Sequence, residues 1–329
     1  MTDVAPTPFP LINLPEKSIR YVLKNMKLID LIGFSFTSAV AKNQTERLGL
    51  NAKSMYVQLS CVINISIYLP KRSTNFYLLT DTTFLRFIDS QKTIDTTQWI
   101  NQKVNVSQFI SHILEIFHRP KVKLSLHNTI RCETMNIFEM FAGLDIETFQ
   151  TIFYGHYKTS FYEKTLKMFA LQSEAIRLNK LPFNDPKQIH SIACQNHRSA
   201  TIRLITDLLA FNDLLAFNPK SQIMSVSLTD VNLFLKHWIH GSNRRLEFSR
   251  FYHGRPHYSN DDCRKIIFKN VDYCIAPVER EMLIQEPGEL EKSVIGGFDI
   301  VCIDGRKASI FVDQSMSEMI VWSSNQILK

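Results

Sequence analysis

Leu14-Pro15-Glu16-Lys17-Ser18-Ile19-Arg20-Tyr21-Val22-Leu23-Lys24-Asn25-Met26 is the stretch on which the N-terminal fold turns. Ile19, Val22, Leu23 and Met26 stand at i, i+3, i+4 and i+7, the spacing of one helical face. Pro15 suits the first helical turn, because the N–H it lacks has no intrahelical partner there. Glu16 puts a negative charge at the positive end of the helix dipole. A second apolar group, Leu28, Ile29, Leu31 and Ile32, is expected to end at Gly33. A third helix is expected from about Ser35 to Leu48, with Ser35 or Thr37 as its cap. Three short helices bury little surface by themselves and normally lean on a partner or a neighbouring domain.

Phe9-Pro10-Leu11 and Leu14-Pro15, followed by Ile19, Val22-Leu23, Met26, Asp30-Leu31, Ser35 and Ser38, resemble the F-box over residues 8–48. In that family the helices dock a Skp-type adaptor, which attaches to a cullin. The resemblance implies an adaptor interface at Pro10, Leu14, Pro15, Ile19, Val22, Leu23, Met26 and Leu31, formed by burial of a helix face in a groove. Ala39 stands where the family often has Lys or Arg, which puts one peripheral contact in doubt. The plainer reading of the same stripe is a three-helix cap packed on the rest of the chain.

Residues 55–88 read as strands. Met55, Val57 and Leu59 alternate, Val62, Asn64 and Ser66 do so less cleanly, and Phe76-Tyr77-Leu78-Leu79 follows the turn-like Pro70-Lys71-Arg72-Ser73. Val106 to Phe117 reads as a helix with Phe109, Ile110, Ile113, Leu114 and Phe117 on one side. A β-meander with a linker helix is therefore expected over 52–118. From about residue 120 an apolar-x-apolar core recurs: Val122–Leu126, Ile176–Leu178, Ile202–Leu204, Met224–Leu228 and Leu246–Phe248. Helix-like segments such as Lys187–His197 and Leu228–His240 lie between. The last four cores begin at 176, 202, 224 and 246, a period within the ~20–29 residues of leucine-rich-type repeats. The expectation for 119–329 is a degenerate leucine-rich-like β–α solenoid, without a regular Asn ladder.

Asp230-Val-Asn232-Leu-Phe-Leu235-Lys-His-Trp238-Ile-His240-Gly241 is the best-defined piece of that region. Thr229 is the expected cap, Gly241 the stop, and Val231, Phe234, Leu235 and Trp238 the inward stripe. With the following Gly-Ser turn and Leu246-Glu247, this stretch resembles the type 2 F-box-associated domain of large nematode F-box families. Gly296-Gly297-x-Asp299-Ile300, Asp304-Gly305-Arg306 and Val321-Trp322 resemble the tail of the same family. Phe298, Ile300 and Cys302 alternate, Asp304-Gly305 makes a hairpin turn, and Ala308, Ile310 and Val312 return. The polar, proline-bearing residues 253–293 read as a loop. Arg244 and Arg245, beside Trp238 and near Phe251 and Tyr252, are candidate target contacts, since Arg and aromatics anchor interfaces. The same four residues read equally as a strand end with structural aromatics.

The formal charge of +7 is spread over isolated pairs such as Lys71-Arg72 and Arg306-Lys307, which disfavours a nucleic-acid stripe. Six cysteines without a C-x-x-C pair suit reduced thiols in cytosol or nucleus. The N-terminus lacks a basic start and apolar core of a secretory signal, and no run reaches the length of a membrane span. Neither a G-x-x-x-x-G-K-[ST] loop, nor H-E-x-x-H, nor G-x-S-x-G occurs. His237 and His240 read as rim histidines about Trp238. His253, His257 and Cys263 lack a fourth zinc ligand at the usual spacing. Glu279, Glu281 and Glu286 read as a solvated loop. No cofactor, metal or catalytic residue is expected. The sequence thus reads as α+β: a three-helix F-box at 8–48, a β-meander with linker helix, and a β–α repeat domain. The implied role is the non-catalytic substrate-recognition subunit of a Skp–cullin–F-box ubiquitin ligase with a protein target of unknown identity. The rivals are a basic nucleic-acid-binding module and an adaptor-binding protein that only sequesters.

Overall fold

In the computed structural model the chain divides into two compact units, Met1–Asp145 and Ile146–Lys329. The structure describes residues 11–60, 63–70, 72–78, 84–88, 96–100, 106–127, 137–152, 158–179, 192, 195, 197–202, 219–224, 226–253, 258–284 and 292–322.

The first unit opens with a 3-10 turn at Leu11–Asn13, then α1 (Glu16–Asn25), α2 (Leu28–Ser35) and α3 (Ala39–Glu46). Pro15 stands just outside the first turn, at the N-cap of α1, where its carbonyl accepts from Ser18 N (2.8 Å) and Ile19 N (3.0 Å). Gly33 does not end α2, which runs on to Ser35. Ser38, and neither Ser35 nor Thr37, caps α3: its side chain accepts from Ala41 N at 3.1 Å. Ser35 is buried at the end of α2 and donates to Ile32 O at 2.6 Å, while Thr37 donates to Phe34 O.

The sheet of this unit is a meander of antiparallel neighbours, β1 (Ser54–Leu59), β2 (Ile63–Leu69), β3 (Arg72–Leu78), β4 (Phe84–Ile88) and β5 (Thr96–Ile100). After α4 (Val106–Ile116) the chain returns as β6 (Val122–His127), parallel to β1. The strand read as the first of the repeats is therefore paired with the meander. Parallel neighbours need a crossover, and α4 lies within it. The pairs Met55↔Ile67, Val57↔Ile65 and Leu59↔Ile63 put β1 and β2 in one apolar layer, joined by Val122, Leu124 and Leu126. All nine of these side chains are buried, as are Phe109, Ile110, Ile113 and Ile116 of α4. The expected alternation at Val62, Asn64 and Ser66 is thus one residue out of phase, since Asn64 and Ser66 face the other side. A one-residue shift exchanges the two faces of a strand. A short helix, α5 (Ile137–Met140), follows β6.

In the second unit β7 (Ile146–Ile152), β8 (Ala175–Leu178), β9 (Ser199–Ile202), β10 (Lys220–Met224) and β11 (Phe248–Tyr252) lie parallel and in chain order. Between β7 and β8 runs α6 (Thr159–Thr165), continued by a π-helical turn at Leu166–Ala170, and between β10 and β11 runs α7 (Leu228–Ile239). The expected strand cores at Ile202–Leu204, Met224–Leu228 and Leu246–Phe248 touch only the ends of β9, β10 and β11. Leu204 lies outside the described residues, and Leu228 begins a helix. The strands carry buried polar positions that the apolar pattern overlooks: Ser221 and Ser249 are opposite one another in β10 and β11, with their hydroxyls 2.9 Å apart. β7 has no counterpart among the expected cores. The helix-like segment at 187–197 lies almost wholly outside the described residues.

Beyond β11 the pairing becomes antiparallel. β17 (Met316–Val321) joins β11, then β16 (Lys307–Val312), β15 (Phe298–Val301) and the edge strand β12 (Cys274–Ile275). The hairpin at Asp304-Gly305 is as expected, between β15 and β16. Residues 253–293, read as a loop, instead hold α8 (Asn260–Ile267), β12 and β13 (Glu281–Ile284), which pairs with β14 (Lys292–Ile295). α8 is predominantly polar and buries only Cys263 and Ile267 of its own residues, a stripe too short to stand out in a polar stretch. Ser259 caps its start, accepting from Asp262 N at 3.2 Å. Gly297 at φ +103 makes the bend into β15, and a Cβ there would come within 2.9 Å of the Phe311 ring.

Candidate functional site

The exposed side of the N-terminal helices is defined by what their core takes. Ile19 and Leu23 of α1 and Leu31 of α2 were expected at a partner interface, but they are 4%, 1% and 1% exposed. They lie at the centre of the apolar stripes, where Leu28, Ile29 and Ile32 are buried as well. The flank of α1 is different. Leu14, Val22 and Met26 are only half-buried and Pro15 is exposed. Pro15, Val22 and Met26 are spaced i, i+7 and i+11, so they fall along one side of the helix. Ile12, Tyr21 and Val40 add exposed apolar surface elsewhere on the same helices. Pro10 lies outside the described residues.

These helices are tied to α4 by a compact set of contacts. The Phe36 ring stacks on Phe109 at 5.3 Å and on His112 at 3.8 Å. Lys42 Nζ donates to Glu115 Oε2. Ser35 Oγ lies 2.8 Å from His112 Nε2. Since the Ser35 proton is given to Ile32 O, Nε2 carries the donor proton of this contact. Burial, with help from the Lys42 charge, pushes His112 down to about 4, against the opposing pull of Glu115. The ring is therefore neutral at pH 7. The hydrogen bond from Lys42 in turn holds Glu115 below its ordinary value.

In the second unit α7 opens on a side-chain cap. Ser227, and not Thr229, is its cap: Ser227 Oγ accepts from Asp230 N at 3.1 Å, and Asp230 accepts back from Ser227 N at 3.3 Å. This reciprocal pair is a capping box. Asn232 donates to Ile267 O (2.7 Å) and Lys269 O (2.9 Å), closing carbonyls at the C-terminal end of α8. Trp238 is fully buried, and Arg306 stands over its ring at 5.3 Å.

Arg244, Arg245, Phe251 and Tyr252 do not form one surface. Arg244 and Arg245 are exposed in the turn after α7. Phe251 is buried in β11 against Phe234, ring centroids 5.1 Å apart, so it offers nothing to a partner. Tyr252 is half-buried and accepts a long bond from Arg250 (3.4 Å). The charges unseen in the sequence are interior ones. Arg250 and Glu318 face each other across β11 and β17, both almost fully buried, at 2.6 Å, and Lys292 reaches the same Glu318 oxygen at 2.8 Å. Arg280 clamps Asp299 with two nitrogens and also donates to Ser309 at 3.0 Å. Trp322 Nε1 donates to the same Ser309 oxygen at 2.9 Å.

The candidate metal and acid groups come out as follows. His237 and His240 are exposed, and His240 Nδ1 is used by Lys236 O at 2.7 Å. His253 meets Ser317 at 2.6 Å, and its burial lowers its pKa. Cys263 is a buried free thiol, whereas His257 and Glu286 lie outside the described residues. Glu279 is exposed, and Glu281 accepts from Ser293 across the β13–β14 hairpin. Among the described residues no group of three His, Cys, Asp or Glu is placed to hold a metal ion.

Two protein families match the chain. The F-box domain matches residues 11–53, which takes in α1, α2 and α3. The F-box associated domain matches residues 188–251, which takes in β9, β10, α7 and most of β11. The chain carries both domains. Neither curated proteins nor solved structures gave a match.

Proposed function

We propose that this chain is the substrate-receptor subunit of a Skp–cullin–F-box ubiquitin ligase. F-box domains bind Skp-family adaptors in such ligases, and F-box proteins are generally non-catalytic. The observation that carries the reading is the apolar flank Leu14, Pro15, Val22 and Met26, left partly uncovered on the three helices that match the F-box. Each buried CH₂ there is worth ~0.8 kcal/mol, so a groove that covered the flank would bind usefully. The adaptor interface is accordingly assigned to this flank, with Ile19, Leu23 and Leu31 holding the helices beneath it.

The F-box associated domain is the natural place for target recruitment, with exposed Arg244 and Arg245 as candidate contacts. The likeness to the nematode families rests on Asn232 to Trp238 and the turn after it. The run of parallel strands β7 to β11 supports the β–α repeat reading, whose leucine-rich character rests on spacing alone. The chain would perform no bond chemistry and would raise the effective concentration of target lysines near a charged conjugating enzyme. A cytosolic or nuclear site of action follows from that role. No described helix is long and apolar enough to cross a membrane.

The test is a pull-down of purified Skp-family adaptor by the full chain. Val22→Glu with Met26→Glu should weaken it at least about tenfold, since a charge buried in an apolar groove is unpaired. The half-buried positions let the variant keep its circular-dichroism spectrum. Undiminished adaptor binding by the folded double variant would refute the assignment.

A further inference from the structure

In the second unit the end of α7 and the β15–β16 hairpin are remote in sequence but stitched into one surface. Ile303 N donates to Ile239 O (2.8 Å) and Cys302 Sγ to Trp238 O (3.2 Å), which fixes the hairpin turn to the last turn of α7. Arg306 ties the turn down a second time. It pairs with Asp304 at 2.9 Å and donates at 3.2 Å to Asn243 O, the carbonyl that leads into Arg244. The turn after α7 is braced in its own right by Ser242 N to His237 O and Leu246 N to Asn243 O, each 3.1 Å. Ile303 lies across Gly241, where a Cβ would stand 3.5 Å from its Cδ1.

This braced surface displays apolar side chains in the open. Ile303 is 73% exposed, and Val301, two residues earlier, 54%. Lys307 is exposed directly opposite Val301 in the register. Arg244 is exposed as well and has no ion-pair partner among the described residues. The acids nearest to them in sequence are engaged, Asp304 by Arg306 and Glu247 by Lys220 at 3.4 Å. Two aliphatic side chains thus stand beside cations that no neighbouring carboxylate neutralises.

We propose that this surface docks a segment of a partner protein in which an acidic residue stands beside a large apolar one. An apolar centre with a charged rim is the anatomy of a protein interface, and the sign of the rim selects an acidic partner. Nucleic acid would answer the cations but would set Ile303 and Val301 against sugar and phosphate, which are polar. A bilayer holds even a myristoyl chain only marginally, and these two side chains carry less apolar carbon. A protein segment satisfies both features at once. If the chain is a ligase receptor, the segment belongs to its target. That clause rests on the function proposed above, whereas the site itself does not. The F-box associated match ends at residue 251, so the hairpin that supplies Ile303 lies outside it.

The experiment pans a displayed library of random dodecapeptides against the full chain held on an affinity tag. Enriched sequences should carry Asp or Glu close to Leu, Ile, Met or an aromatic residue. A synthetic peptide from the enriched set should bind Ile303→Ser about tenfold more weakly, the scale of one buried aliphatic side chain. It should lose about tenfold or more to Arg244→Glu, the scale of one charged hydrogen bond. Replacing its acidic residue by Lys should restore binding to Arg244→Glu, which a misfolded variant could not do. Ile275→Ser, at a position just as exposed on β12 (74%), should leave the affinity unchanged. No enrichment, enrichment without acidic residues, or a peptide indifferent to Ile303→Ser and Arg244→Glu would overturn the site. So would tighter binding of random duplex DNA, or of vesicles of phosphatidylcholine and phosphatidylserine in equal parts, that is lost in Arg244→Glu. Adaptor binding is scored separately in every variant. A chain that takes the peptide but not the adaptor would sink the ligase reading and leave this site standing, and the reverse result would sink the site alone.

Discussion

At the scale of single residues, His112 and Asn232 show how much a side chain contributes by what it satisfies. His112 is held neutral by burial and by Lys42, with its pKa at about 4 instead of 6.5. Between those values the unfolded chain binds a proton that the folded chain refuses, so folding loses stability as the pH falls from 6.5 to 4. Buried His197 and half-buried His127 and His253 are shifted in the same direction and add to the trend. Chemical denaturation followed across that window should show wild-type stability falling with acid more steeply than that of His112→Gln, which keeps a donor for Ser35 but does not titrate. Equal slopes would remove His112 from the account. Asn232→Ala should cost about 1–3 kcal/mol, because the carbonyls of Ile267 and Lys269 lose their donor inside the protein. Urea midpoints at constant m-value would measure it. Asn232 was visible in the sequence as part of a motif, but its partners lie 35 and 37 residues away, and no local pattern names them.

At the scale of elements, the pairing of strands decides more than propensity does. The alternation in β1 was legible, whereas that of β2 was assigned one residue out of phase. Ile63, Ile65 and Ile67 are core only because β2 pairs with β1 in the register Leu59↔Ile63. The same partnership turns Asn64 from a flaw in a core strand into part of a polar face. The pairing of β11 with β17 sets Arg250 opposite Glu318, and Lys292 from β14 joins them. Removing the carboxylate with Glu318→Ala should cost about 3–5 kcal/mol, since the buried Arg250 guanidinium loses its counter-charge. The variant's thermal transition should drop well below that of Glu247→Ala, whose carboxylate is an exposed partner of Lys220. Equal transitions for the two would mean that the interior pair contributes nothing special. α8 escaped the sequence because its stripe is only Cys263, Ile266 and Ile267, at i, i+3 and i+4, and the polar, proline-bearing stretch around it outweighed so short a period.

At the scale of the whole molecule, the proposed role needs the apolar flank of α1 to meet a preformed groove on another protein. In a reconstitution with adaptor and cullin, the full chain should enter the cullin peak on gel filtration and the Val22→Glu and Met26→Glu variant should stay out of it. Entry of the double variant into that peak would remove the flank from the account.

The amino-acid sequence by itself determined the helical N-terminus, the meander, the helix from Leu228 to Ile239 and the closing hairpin. Each is written in short-range periodicity, caps and turns that no distant contact has to supply. Only tertiary structure decided that Ile19 and Leu23 of α1 are buried while Val22 and Met26 stay half-exposed, because all four share one helical stripe and its spacing does not rank them. It also decided the phase of β2 and the interior charges, since register and ion pairing join residues that are remote along the chain.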